Sequence, residues 1–398
     1  MSAGVSKRMI DPLTEEYIRF VNVNYIKEQY IHQTTANHVY EKEAIKIFCR
    51  WIMNNKSLNL EDIRDPLDAF LPVKNVRSQT KFCNELVQKG SSDSSARMIY
   101  CNLLDNIDKF IAGHEFVKVS PCDDHYIQKI SVKADIYITI PKHIKFYNFY
   151  DRSRTQSGYL YIYRDIGIYV SKFVFDRLVI RYQGPKDHNV PKEPQFSKDI
   201  MRILMRYAML NDASGLQGEM PIETRDTLST ELDIQFEGFA SPFNAHLPYY
   251  CSLFPDTDEL FGSLGSFFNF DFVKSDMNIF QVCPPFIDGI FTQTANKMLS
   301  SLEESEKLGK PLGIFYMMVR WRNCESLELL TKSRFNRKHI SLIARQHCYE
   351  WNQKKTFVPF DSEIIILQNS QSFKEIDIGH SIKFKRILHS LRRENPKV

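Results

Sequence analysis

Three short segments combine residue types that could serve a nucleoside ligand. Glu237-Gly238-Phe239-Ala240-Ser241-Pro242 sets an acid against a run of small residues. Phe254-Pro255-Asp256-Thr257-Asp258 offers two further carboxylates, and Cys283-Pro284-Pro285-Phe286 joins a thiol to two prolines and an aromatic ring. Small residues after a strand let the backbone approach a cofactor, and nearby acids can take up its amine or ribose hydroxyls, which makes Glu237, Asp256 and Asp258 the candidates. Two prolines fix φ and leave their carbonyls free, while the phenyl ring offers a face for a base, so an exocyclic amine would find acceptors at that corner. Taken singly, a Pro-Pro-Phe run is more often a turn than a catalytic loop. At the ends of successive strands the three segments argue more strongly.

Such segments need a sheet to hold them. Apolar runs at 232–239, 278–282, 313–319 and 363–368 read as strands, and 286–306 as a helix between two of them. Alternation of this kind predicts an α/β domain with a mostly parallel sheet over 185–398. Ahead of it, three- and four-residue apolar spacing through Tyr17, Phe20, Val21 and Tyr25, then Ile45, Phe48, Cys49 and Ile52, predicts a helical region over 1–125. The run Gly90 to Ser95 reads as a flexible connection within it. β-Branched and aromatic alternation, as in 131–140 and 158–163, makes 126–184 strand-rich. A Pro, Gly and charge-rich linker at 184–194 precedes a helical stretch at 196–210.

Composition narrows the classes. The chain has 398 residues, 43% hydrophobic and 25% charged, enough for a large core or two modest ones. No apolar stretch approaches the roughly 18 residues of a membrane span, and the opening residues lack the apolar core of a secretory signal, which argues against membrane and secreted readings. The eight cysteines are scattered singly, without CxxC or zinc-finger spacing, so reduced thiols in a nucleus or cytosol are expected. His339, His347 and His380 have no partners at metal-ligand spacing, so no metal is expected. Net charge is only +4, but basic residues cluster at Lys332, Arg334, Arg337 and Lys338 and again after Gln371, where seven Lys/Arg face three Asp/Glu. Such edges could track a phosphate backbone, or simply be solvated faces. Arg392-Arg393 could act as a weak nuclear signal.

The order and spacing of Arg206-Tyr207, Gly215-Leu216-Gln217-Gly218, Phe236 to Asn244, Tyr250-Cys251-Ser252, Phe254 to Asp258, Phe261-Gly262-Ser263, Gly265, Pro284-Pro285-Phe286 and Ser333-Arg334-Phe335 closely resemble the phosphorylated CTD-interacting factor family. These are the cap-specific mRNA (2′-O-methyladenosine-N6-)-methyltransferases, and the resemblance covers about residues 200–370. It implies a Rossmann-like class I methyltransferase domain behind a helical and mixed α+β region. It further implies transfer of a methyl group from S-adenosyl-L-methionine to N6 of the cap-adjacent adenosine, with the capped mRNA 5′ end as partner. Gln217, Glu237, Phe239, Ala240, Ser241, Pro242, Asp256 and Asp258 then become cofactor residues, Cys283 to Phe286 the catalytic corner, and Arg320, Trp321, Arg334 and Arg337 RNA contacts.

The chain departs from the family pattern in three places. Cys283 stands where the motif has Asn, whose side-chain oxygen and a proline carbonyl hold the target amine. A thiol is a weak acceptor, so a rate loss on the order of 10² to 10³ is expected. Val319-Arg320-Trp321 replaces a usual Pro-Glu-Trp, putting a base where an acid stood. The three Trp, at 51, 321 and 351, are not spaced as in a WW module, so recruitment to the phosphorylated polymerase tail is not expected. Three readings stay open: a cap-adjacent adenosine methyltransferase, a catalytically inactive relative that binds capped RNA or cofactor, and an active enzyme with a shifted substrate such as internal RNA or DNA adenine.

Overall fold

The computed structural model describes residues 11–58, 70–71, 76–119, 126–133, 143–149, 157–183, 194–210, 218–321, 324–351 and 354–392. The chain divides into two compact units, one within residues 1–213 and the other built from 214–398 together with 56–62.

The first unit carries helices α1 (Pro12–Ala36), α2 (Glu41–Leu58), α3 (Val76–Gln88) and α4 (Asp93–Ile111), strands β1 (Gln128–Val132), β2 (Lys145–Phe149), β3 (Gly158–Tyr163) and β4 (Ile166–Ser171), then α5 (Lys172–Arg181) and α6 (Gln195–Ala208). Pro12 in the first turn and the Asp11 carboxylate, which accepts from the Thr14 N–H at 3.3 Å, start α1. The Gly90–Ser95 run does more than connect: Ser92 caps α4 by accepting from the Ser95 N–H at 3.1 Å. The strands form one sheet in the order β1-β3-β4-β2. Of the expected strand at 131–140, residues 134–140 lie outside the described residues.

Helix α6 was expected to open the C-terminal domain, yet it belongs to the first unit. The Arg206 guanidinium donates to both Glu16 oxygens, at 2.8 and 2.6 Å, with both side chains buried. A charge pair sealed in this way ties α6 to α1, and the division between the units falls after Ala213 rather than at the linker.

The second unit contains α7 (Ile222–Leu232), β5 (Phe236–Glu237), β6 (Tyr249–Tyr250), α8 (Pro255–Asp258), β7 (Ile279–Val282), α9 (Asp288–Leu308), β8 (Gly313–Val319), α10 (Glu325–Lys332), β9 (Asn336–Leu342), β10 (Cys348–Trp351), β11 (Lys354–Phe357), β12 (Ser362–Gln368), α11 (Ser370–Glu375) and α12 (Ile382–Leu391). Among the described residues, six strands form a sheet in the order β6-β5-β7-β8-β12-β9. The first four are parallel, and β12 runs antiparallel between β8 and β9. The unit is thus mixed α/β with a parallel sheet at its centre.

Two-residue alternation explains the layering. On β8, Ile314, Tyr316 and Met318 pack with Phe291, Ala295, Met298 and Leu302 of α9, whereas Phe315 and Met317 join Leu228 of α7 and Phe384 and Ile387 of α12. β12 splits the same way, with Ile365 and Leu367 on one face and Ile364 and Ile366 on the other. A strand buried on both faces reads as a continuous apolar run, which is why β8 and β12 were legible. The expected strand over 232–239 shrinks to Phe236–Glu237. Leu232 ends α7, and Asp233 caps it in the left-handed region at φ 53°.

Candidate active site

In the second unit β6 lies on one side of β5, while β7 and β8 continue on the other. Strand order therefore reverses between β5 and β7, and the crevice outside their carboxyl ends is where an open parallel sheet binds ligands. Residues 238–242 leave β5 there, and Cys283 to Phe286 leave β7 beside them.

The β5 exit is closely fitted. Gly238 donates its N–H to the Gln281 carbonyl at 2.8 Å, and a Cβ there would come within 3.0 Å of the Phe267 ring. Phe239 stacks on Phe267 with centroids 4.5 Å apart, and the Ala240 N–H reaches the Cys251 carbonyl at 2.9 Å. Ser241 gives its N–H and hydroxyl to the Asn244 oxygen at 2.7 and 2.9 Å, closing a turn. Phe239 and Ala240 stay partly exposed; Ser241 and Pro242 are buried.

Glu237 holds this loop together. One oxygen accepts from Arg225 at 3.2 Å, and the other from the backbone N–H groups of His246 and Leu247 at 2.7 and 3.2 Å. Arg225, 2% exposed, also donates to the Asn244 carbonyl at 2.9 Å and pairs with Glu219 at 3.1 Å. Burial alone would weaken its hold on its proton; Glu219, Glu237 and Glu350 together outweigh this and push its pKa up. Glu350, also buried, accepts from the Ile222 N–H at 2.9 Å. On the carboxyl side of β6, Asp256 is half-buried and Asp258 fully buried, with its Oδ1 accepting from the Thr257 hydroxyl at 3.1 Å. Gln217 lies outside the described residues.

At the β7 exit, Pro285 accepts from the Ile287 N–H at 2.7 Å, whereas the Pro284 carbonyl has no partner among the described residues. Phe286 stands edge-on between Tyr349 and Phe360, with centroids at 5.4 and 5.7 Å. Cys283 is partly exposed and packs toward the α7 face. Burial pushes its thiol up to about 12, with Arg225 opposing the rise and Glu237 adding to it. The thiol is therefore protonated near neutral pH and is no nucleophile.

The structure brings only part of the expected RNA set to this crevice. Trp321 packs on Phe291 at 5.1 Å just past the carboxyl end of β8. Arg320 precedes it, its guanidinium bonded to the buried Glu363 and to Ser341 and lying 3.6 Å from Asp361. Arg334 and Arg337 sit at the opposite rim. Arg334 pairs with Glu303 at 2.5 Å, and Arg337 donates to the Gln368 carbonyl at 3.2 Å. Gln368 faces Gly313, the amino end of β8, so some six strand steps, roughly 20 Å, separate these residues from the β7 and β8 exits. Among the described residues no cluster of His, Cys, Asp and Glu could hold a metal, and no helix is long and apolar enough to cross a membrane.

Fold and strand order together define a mixed α/β protein in which residues 238–242 and 283–286 leave neighbouring strands at the sheet's reversal point. A family profile described as "Phosphorylated CTD interacting factor 1 WW domain" matches residues 177–351. Over 229 residues, 53% of the chain, the protein is 29% identical to the mouse mRNA (2′-O-methyladenosine-N(6)-)-methyltransferase and 28% identical to the human one. The alignment takes in 31% of each relative, so the chain spans about a third of the length of the curated relatives it matches. These matches support kinship with the phosphorylated CTD-interacting factor proteins, a family of mRNA-modifying methyltransferases, over the stretch that carries the crevice. The profile's WW description conflicts in part with the expectation that such a module is missing.

Proposed function

We propose that the second unit is a Rossmann-like, S-adenosylmethionine-dependent methyltransferase module that acts on N6 of the cap-adjacent 2′-O-methyladenosine of mRNA. The observation that carries this reading is the pairing of residues 238–242 and 283–286 on the neighbouring exits of β5 and β7, at the reversal of strand order. The doubly wound order, with helices on both faces, supports the Rossmann-like part, and the names of the relatives support the reaction class.

The residues at the crevice fit that cofactor. A Cβ at Gly238 would crowd the Phe267 ring and the Gln281 carbonyl, which keeps the backbone there slender, and Phe239 and Ala240 beside it stay partly exposed. Phe239, Ala240 and Asp256 would hold the cofactor. Glu237, with both oxygens engaged inside the chain, would shape the loop instead. Bound there, the cofactor supplies a methyl group made electrophilic by its sulfonium.

The remaining work falls to the β7 corner. The Pro284 carbonyl accepts one hydrogen of the target amine, directing the nitrogen lone pair toward the methyl group, and Phe286 offers an aromatic face to the base. Cys283 contributes little to this, since a neutral thiol is a poor acceptor. That deficit favours a second reading, a catalytically inactive module that binds the capped 5′ end. Labelled methyl transfer to a short capped RNA beginning with 2′-O-methyladenosine, run with the natural protein, Cys283→Asn and an uncapped control, separates the two. Cap-dependent transfer by the natural protein supports the enzyme. Cap binding without transfer supports the module, and rescue by Cys283→Asn would place the defect in that one side chain.

A further inference from the structure

The Asn to Cys replacement removes a neutral carboxamide acceptor from the end of β7, and a second carboxamide lies two residues earlier. Gln281 is 3% exposed, and its side-chain oxygen has no hydrogen-bond partner among the described residues. A buried polar atom left without a partner calls for an explanation, and a role toward a ligand is one of the few available. Side chains two apart on a strand point to the same face, so Gln281 shares the α7 face with Ile279 and Cys283, which both pack there. Its register partner across β5 and β7 is Glu237.

The other acceptors on this face are engaged, while the Nε and Nη2 of Arg225 are buried donors without a partner among the described residues. Glu237 is filled by Arg225, His246 and Leu247, and the Tyr349 hydroxyl lies 3.2 Å from that of Ser362. Arg225 offers only donors, and Glu350 is a carboxylate bonded to Ile222. Gln281 is the neutral acceptor that remains. Two strand steps set it about 6.6 Å back from position 283. Its extra methylene and the lean of strand side chains recover part of that distance, and the short Cys283 side chain opens the way past it.

We propose that Gln281 supplies the amine-orienting carboxamide that position 283 lacks, accepting one N6 hydrogen while the Pro284 carbonyl accepts the other. In the transfer that follows, the nitrogen lone pair forms the N–C bond and the C–S bond breaks with its electrons going to sulfur. One N6 proton then leaves to solvent. The assignment rests on the methyltransferase reading and deepens it.

Binding tests it without turnover. Capped oligonucleotides beginning with 2′-O-methyladenosine, or with the 2′-O-methyl purine nucleoside that lacks the 6-amino group, are titrated by fluorescence anisotropy in the absence of cofactor. The natural protein is expected to prefer the adenosine oligonucleotide by about a hundredfold, the worth of two such bonds at about tenfold each. Gln281→Leu should cut that preference about tenfold, leaving the share due to the Pro284 carbonyl, while still binding both RNAs, and Gln281→Leu combined with Cys283→Asn should regain the full preference. Recovery by the double variant shows that the single variant is folded and separates an acceptor role from a packing role. Equal preference in the natural protein and Gln281→Leu, or no preference in either, overturns the assignment and leaves the methyltransferase reading standing if transfer is observed. Failure of the natural protein to bind either capped RNA or to transfer methyl overturns both.

Discussion

Replacing Arg225 by Met tests whether the crevice is built on a buried ionic cluster. The side chain is close in volume, so the change removes charge and donors with little loss of packing. It leaves Glu219, Glu237 and Glu350 facing one another without a cation. Breaking a buried pair from one side costs about 3–5 kcal/mol. Glu237 keeps its two backbone donors and Glu350 keeps one, which argues for the lower end, about 3 kcal/mol. Hydrogen exchange at the amides of β8 and β12, read by mass spectrometry, should then quicken about 150-fold where exchange follows global opening of the second unit. The deficit should narrow as pH falls toward 5. Carboxylates buried without a counter-charge have raised folded pKa values, so the variant's stability is fullest below the unfolded value near 4.5 and is lost as pH rises through the folded one. Adding Glu237→Gln should return part of the loss. An exchange change under about fivefold, or a deficit independent of pH, would refute the account of Arg225 as the cluster's counter-charge.

Gly238→Ala would force its Cβ to within 3.0 Å of Phe267 and 3.3 Å of the Gln281 carbonyl; a stability loss of about 1–3 kcal/mol in urea unfolding and weaker S-adenosylmethionine binding in calorimetry are expected. Iodoacetamide at pH 8 should label exposed Cys101 readily and Cys283 on the order of 10³ times more slowly, because a thiol held near 12 is almost wholly protonated there; peptide mass spectrometry gives the ratio. Arg320→Ala strips a charge from the fully buried Glu363 but leaves its contact with His339 at 2.6 Å, so a loss of about 1–3 kcal/mol is expected in chemical denaturation. Arg334→Glu with Arg337→Glu, at the far rim of the sheet, should change capped-RNA affinity by less than about threefold at physiological salt in anisotropy titrations, since screening falls off over about 8 Å.

What was legible followed from how strongly each element announces itself. β8 and β12 are seven-residue apolar runs buried on both faces, and α9 is long and periodic, so their places were readable. β5 pairs over only two residues, and the apolar residues read as strand before it instead close α7 and its left-handed cap. β9 was hidden because Arg337 and Lys338 read as part of a basic cluster with Lys332 and Arg334, although antiparallel pairing to β12 needs only backbone there. The loops at the crevice were found by residue type. The parts of the site that composition does not reveal, Arg225 and Glu350, lie 12 and 113 residues from Glu237 in sequence and meet it only through the fold.

Glu237 shows why residue type alone can misassign such a site. An acid at the end of a first strand suits a cofactor amine, but a carboxylate with 4% exposure, two backbone donors and a guanidinium has its lone pairs already directed inward. Its part in the site is structural: with Arg225 it fixes the chain from Asn244 to Leu247 and, with it, the position of Gly238 to Pro242. The same logic applies to Arg320, whose charge is held by Glu363 and so is not at the disposal of a phosphate. Under the proposed reading, removing those two from direct contact leaves the crevice with backbone, Phe239, Ala240 and Asp256 on the β5 and β6 side and Pro284, Phe286 and Gln281 on the β7 side. The β7 side of that lining carries no charge, as the proposed methyl transfer to an uncharged amine requires, because a strong anion at the amine would stabilise the sulfonium before transfer more than the dispersed charge of the transition state.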